Sequence, residues 1–157
     1  MVIVLRRLPI LAALALIAAL GTGCGSKGAT TAPAACGGSA GGYLKALEAA
    51  PGAVRLAGDI PISDCFTGTE SPDVDQAVIE AASRLNAQAR RDPGGSATVE
   101  LGYLAGAVHE GTAQVPSEAD LVRRVDSAAR YAPGGGTLGT AFEQAYGKGY
   151  AAGEATG

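Results

Sequence analysis

Residues 71–95 read SPDVDQAVIEAASRLNAQARRDPGG, and this stretch decides the fold class. Val74, Ala77, Val78, Ala81, Leu85 and Ala89 recur at steps of three and four, the period of one helix face. Ser71 followed by Pro72 supplies a cap and a first-turn proline, and Asp73 and Asp75 place acid where the helix dipole favours it. Asp92-Pro93-Gly94-Gly95 stops the run. The pattern predicts a helix over Pro72 to Arg91.

Downstream, Ala97, Leu101, Leu104, Ala105 and Val108 form a second stripe over Ala97 to Glu110. Alternation at Ala97, Val99, Leu101 and Tyr103 offers a strand instead, but the helical period extends further. Ser117-Glu118-Ala119-Asp120 has the form of a capping box and opens a third helix to Ala132, carrying Leu121, Val122, Val125, Ala128 and Ala129. After Pro133-Gly134-Gly135-Gly136, the residues Leu138, Ala141, Phe142, Ala145, Tyr146 and Gly149 make a last amphipathic segment, expected to fray toward Gly157. Upstream, Ser39 to Ala50 suits a short helix stopped by Pro51-Gly52, and Val54 to Phe66 an irregular stretch. The expected class is all-α: a small bundle of four to five helices with one irregular segment.

Two of the stops are alike. Residues 89–95 and 129–135 agree at five of seven positions, 40 residues apart, and each lies between two amphipathic segments. Residues 101–106 and 144–149 are weakly similar at an offset of 43. This layout of paired helices resembles the tetratricopeptide-type helical repeats over residues 72–153, without most of their large aromatic positions. The resemblance implies two helical hairpins. A compact antiparallel bundle is the plainer arrangement of the same helices.

Residues 1–24 give the chain an address. Arg6 and Arg7 precede a 13-residue apolar run, Leu8 to Leu20. As a helix it would reach roughly 20 Å, short of a hydrocarbon core about 30 Å thick, so it reads as a cleaved signal peptide over 1–23. Leu20-Gly21-Thr22-Gly23-Cys24 resembles the lipobox of bacterial lipoproteins, with Gly21 where leucine is usual. The resemblance implies cleavage before Cys24 and acylation of its thiol, palmitate included. Ordinary cleavage after a small residue such as Gly21 would release a secreted protein instead. The glycine-, alanine- and threonine-rich residues that follow make 24–38 a lipidated tether, about 20 Å in mean reach, ahead of a helical domain at 39–157.

Cysteine parity fits this. The chain has three cysteines, and with Cys24 acylated, Cys36 and Cys65 remain as an exported pair, expected as a disulfide closing a ring of 30 residues. Closing that ring is worth roughly 3–4 kcal/mol in the chain-entropy account. The staple matters because the core is thin: from Ser39 onward only 26 residues are Leu, Val, Ile, Phe or Tyr, and tryptophan is absent. Alanine and glycine must let helices approach closely, as Gly102 and Gly106 could, one turn apart.

Composition also excludes. Aromatics at 4% speak against a roomy cofactor pocket, so no cofactor is expected. Without residues 1–23, ten basic residues face fifteen acidic ones, a net charge of −5 that disfavours nucleic acid.

His109 is the single histidine, so a two-histidine metal site within one chain is impossible. As a general base it would need an orienting carboxylate, with Glu100 and Glu110 as candidates; the simpler reading is a cation closing a helix. Glu70, Asp73 and Asp75 lack the calcium-loop order and read as dipole acids. Arg123, Arg124 and Arg130 could meet anionic headgroups, but Asp120 and Asp126 among them suit a solvated mixed face. The glycine runs lack a Walker lysine and read as helix punctuation. Tyr103, Tyr131, Tyr146 and Tyr150 read as core filling before a sticky patch.

The sequence therefore predicts a membrane-anchored envelope lipoprotein with a non-catalytic helical domain that acts through an envelope protein partner. A small-molecule-binding or sensing module is the alternative, and an exported hydrolase using His109 the minor one.

Overall fold

The structure, a computed structural model, describes residues 32–68 and 71–157. The expected leader, Cys24, the first part of the expected tether and Glu70 lie outside the described residues. Among those described there are five α-helices: α1 (Ala40–Leu47), α2 (Pro72–Ala89), α3 (Ser96–Thr112), α4 (Ala119–Ala129) and α5 (Gly139–Thr156). Short 3-10 turns at Ala34–Gly37, Ser63–Phe66 and Pro116–Glu118 complete them. No described helix is long and apolar enough to cross a membrane.

α3 is the axle. It is buried on nearly every side, through Leu101, Tyr103, Leu104, Ala105, Ala107 and Val108 among others. A helix surrounded by neighbours has no polar face to alternate against, which is why its sequence also carried a strand-like pattern. α2 and α4 pack on it from one side and on each other, and α5 lies along the other. α2 packs on α3, whereas α4 and α5 scarcely touch.

Among the described residues the α3–α5 contact is the most extensive between two elements. A Cβ placed at Gly102 would fall inside the carbonyl of Tyr146, at Gly106 inside that of Tyr150, at Gly149 inside that of Val99 and at Gly153 inside that of Tyr103. The contacts advance together along both helices, so the pair is parallel. The sequence carries the reason in a register other than 43: Gly102-Tyr103-Leu104-Ala105-Gly106 and Gly149-Tyr150-Ala151-Ala152-Gly153 share four of five residues. Each helix thus presents two glycines one turn apart, and backbone meets backbone.

The same contact explains why α5 runs unbroken to Thr156 where fraying was expected. Gly153 is buried, and the last turn is tied to the irregular segment. The Val54 amide donates to the Tyr103 hydroxyl at 3.1 Å, which lies 2.9 Å from Thr156 Oγ1. Arg55 donates to the Thr156 carbonyl at 2.7 Å, a cation at the negative end of the helix dipole, and Ser63 Oγ donates to the Gly157 carbonyl.

Cys36 and Cys65 are bonded, with Cα atoms 5.5 Å apart. Cys36 is fully buried and its carbonyl accepts from the Tyr43 hydroxyl at 2.9 Å, so Ala34–Gly37, expected within the tether, already belongs to the packed domain. Ser71 and Pro72 open α2 as expected, without a side-chain cap bond. The capping box at Ser117 does not form; Glu118 is buried and α4 starts after a 3-10 turn. Asn86, also buried, donates to the Ala129 carbonyl at 2.6 Å and pins the end of α4 to α2.

Two outcomes test this packing. Gly149→Ala and Gly102→Ala each lose about 1–3 kcal/mol because a methyl must force two backbones apart. Gly147→Ala, on the same helix but with open space around it, gains about 0.5–1 kcal/mol. Chemical denaturation of the three variants measures both signs. Replacing Cys36 and Cys65 together by serine costs about 3–4 kcal/mol, read in the same assay under oxidising conditions.

Candidate functional site

The separation of α4 from α5 leaves a groove floored by α3. Each wall is one stripe at three- and four-residue steps: Ala119, Val122 and Asp126 on α4 with Arg130 just past its end, and Glu143, Gly147, Tyr150 and Glu154 on α5. On α4 this stripe lies beside the buried one of Leu121, Val125 and Ala129. His109 stands in the middle and divides the groove into a cavity of about 280 Å³ toward Arg130 and one of about 470 Å³ toward Pro116.

His109 comes from the last turns of α3, as expected, but its partner is neither Glu100 nor Glu110. Its Nε2 lies 3.2 Å from both carboxylate oxygens of Asp126 on α4. Glu110 lines the larger cavity, and Glu100 lies roughly 13 Å back along α3, its carboxyl raised by burial although Ser96 hydrogen-bonds it. A helix-closing cation is only part of the role: the ring also sits edge-on to Tyr150 at 5.4 Å, so one side chain on α3 touches both α4 and α5.

Phe142, Tyr146 and Tyr150 stack at four-residue spacing, ring centres 5.6 and 6.1 Å apart. The Arg130 guanidinium lies 5.3 Å from the Tyr146 ring centre, and 3.8 Å from Glu143. The wall is therefore aromatic and charged at once. Burial, with Glu154 and Asp126 adding negative charge nearby, pushes the Tyr150 hydroxyl up to about 12. Burial raises Tyr146 further, so both phenols stay protonated donors.

The remaining candidates scatter. Tyr103 and Tyr146 fill the core as expected, whereas Tyr131 is 60% exposed, with Arg90 over its ring at 5.8 Å. Arg123 pairs with Asp120 on an exposed face, which fits the solvated reading. Asp73 and Asp75 sit in the first turn of α2. Among the described residues no three metal-ligating side chains come together. Asp126 is the partner that sequence reasoning missed; its one signal is that it shares a four-residue step with Val122 and Arg130.

The tyrosines set the alkaline limit of stability. An unfolded chain releases phenolic protons near pH 10, while folded Tyr43, Tyr146 and Tyr150 hold theirs to higher pH. The folded state then binds more protons, so stability falls as pH rises from 10 toward 12. Urea midpoints across that window decrease, and tyrosinate absorbance from these three side chains emerges together with unfolding.

Neither the protein-family models nor the curated proteins nor the solved structures compared with this chain match it.

Proposed function

We propose that the chain is an exported, lipid-anchored envelope protein whose helical domain works by binding a protein partner on the outer face of the cytoplasmic membrane, without catalysis. The observation that carries this reading is the pairing of the cysteines. Cys36 and Cys65 use each other, which leaves Cys24 as the odd thiol, directly after a leader-like segment and within a lipobox-like one. A buried disulfide suits an oxidising compartment. Were Cys24 not acylated, the same domain would be secreted.

The groove between α4 and α5 supports binding as the mode of action. It offers an aromatic wall, protonated phenols and opposed charges on rigid helices, which is the equipment of recognition. Its size equally suits the second reading, a module that captures a small molecule, since a cavity of about 280 Å³ lies at the lower end for such ligands.

The test is the fate of Cys24. In a bacterial host grown with radiolabelled palmitate, the protein takes up label, its mass fits a chain starting at Cys24, and it fractionates with membranes. Cys24→Ser abolishes the label and moves the folded domain to the soluble fraction. An uncut leader without acyl mass sinks the proposal.

A further inference from the structure

Arg90 and Tyr131 stand just past the ends of α2 and α4, outside both the core and the α4–α5 groove. Tyr131 is 60% exposed, the one large apolar side chain so exposed among the described residues. The Arg90 guanidinium lies over its ring, 5.8 Å from the centre. Two cavities meet at Arg90. One, of about 250 Å³, is lined by Pro93, Ala132, Pro133, Leu138 and Phe142. The other, of about 450 Å³, is lined by Ser83, Asn86, Ser127, Ala128 and Tyr131. Neither contains a carboxylate. Ser83 and Ser127 donate their hydroxyl hydrogens to carbonyls of their own helices, which leaves Arg90 as the charged donor.

That guanidinium is held in place without being neutralised. Its Nη1 donates to Asn86 Oδ1 and, at 3.3 Å, to the Tyr131 carbonyl, both uncharged acceptors, and Asn86 is itself fixed by its bond to Ala129. An arginine carries five N–H donors in a rigid fork, so the edge formed by Nε and Nη2 remains open to the paired bonds that a carboxylate makes. Among the described residues neither Arg90 nor Arg91 has an ion pair. The Asp92 carboxylate turns away, onto Gly95 at the start of α3. The C-terminal ends of α2 and α4 and the N-terminal ends of α3 and α5 gather at this end of the bundle, so their dipoles offset one another and the arginines set the sign of the field.

We infer that a protein partner docks at this end of the bundle, with an aspartate or glutamate on the open edge of Arg90 and a neighbouring apolar side chain in the cavity of Leu138 and Phe142. The inference rests on the interaction-domain reading above and names what the partner presents. Charge selects the occupant, since a positive side chain would meet Arg90 with no acid in either cavity to receive it. The apolar cavity, smaller than the roughly 300 Å³ at which small-molecule sites begin, has room for one side chain. An exposed tyrosine beside an oriented arginine is also the pairing that most often carries the energy of a protein interface.

The experiment titrates the isotope-labelled full chain, held in detergent, with the end-capped dipeptide leucyl-glutamate and with leucyl-glutamine as its uncharged counterpart. The expected result is saturable movement of the amide resonances of Arg90, Tyr131 and Leu138, with leucyl-glutamine binding about tenfold more weakly. Arg90→Gln brings the affinity for leucyl-glutamate down to that for leucyl-glutamine. Arg84→Gln removes the same charge elsewhere on α2, where Arg84 pairs with Glu80, and leaves the affinity unchanged. Should Arg90→Gln loosen the end of α4, the two dipeptides compared on the unaltered chain decide the matter by themselves. Equal affinity for both dipeptides, no saturable movement, an equal loss in Arg84→Gln, or movement confined to the α4–α5 groove would overturn the inference. Those results would leave lipid anchoring at Cys24 standing, whereas failure of palmitate labelling would leave the preference for a carboxylate standing.

Discussion

Backbone-to-backbone contact between α3 and α5 is the constraint on which the remaining structure depends. A chain with few large apolar residues cannot fill wide interhelical gaps, so it closes the gap instead. Gly102, Gly106, Gly149 and Gly153 remove their side chains from the seam, and carbonyl oxygens of one helix sit where methyl groups of the other would be. Dispersion attraction between the two backbones at such short range replaces what leucine or phenylalanine would supply across a wider gap. The seam also fixes α5 so closely to α3 that α5 cannot lean on α4. The groove follows from that geometry, with α4 held on the far side by Leu121, Val125 and the bond from Asn86.

Within the groove, neighbouring helices each supply one member of a pair: His109 with Asp126, Arg130 with Glu143. Both pairs are partly exposed and of small energetic consequence alone. Their arrangement matters more than their strength. They line up opposite charges over an aromatic surface that Tyr146 and Tyr150 keep uncharged.

Much of this was legible in the residues. The three- and four-residue steps of α2 and α4, the Pro-Gly stops and the cysteine parity each name a local cause with a local effect, and the structure follows them. Where reading failed, the cause lay in tertiary context. α3 looked partly like a strand because burial all round erases amphipathic period. α5 looked ready to fray because glycine has poor helix propensity, and only its partner row on α3 turns those glycines into contact. One row, Gly102 and Gly106, is visible as a close-approach surface, but its counterpart, Gly149 and Gly153, matches it at an offset of 47, not at the 43 that aligns residues 101–106 with 144–149. The link from His109 to Asp126 spans 17 residues and two helices, and no local rule connects them.

The bonds around Thr156 reach further than their number suggests. Arg55, Ser63 and, through Tyr103, Val54 all lie inside the ring that Cys36 and Cys65 close, yet they hold the final turn of α5. Hydrogen bonds thus tie segments roughly a hundred residues apart in the chain. Native-state amide exchange would show them as a single cooperative unit, so opening the ring that Cys36 and Cys65 close would lower protection at the final turn of α5 as well.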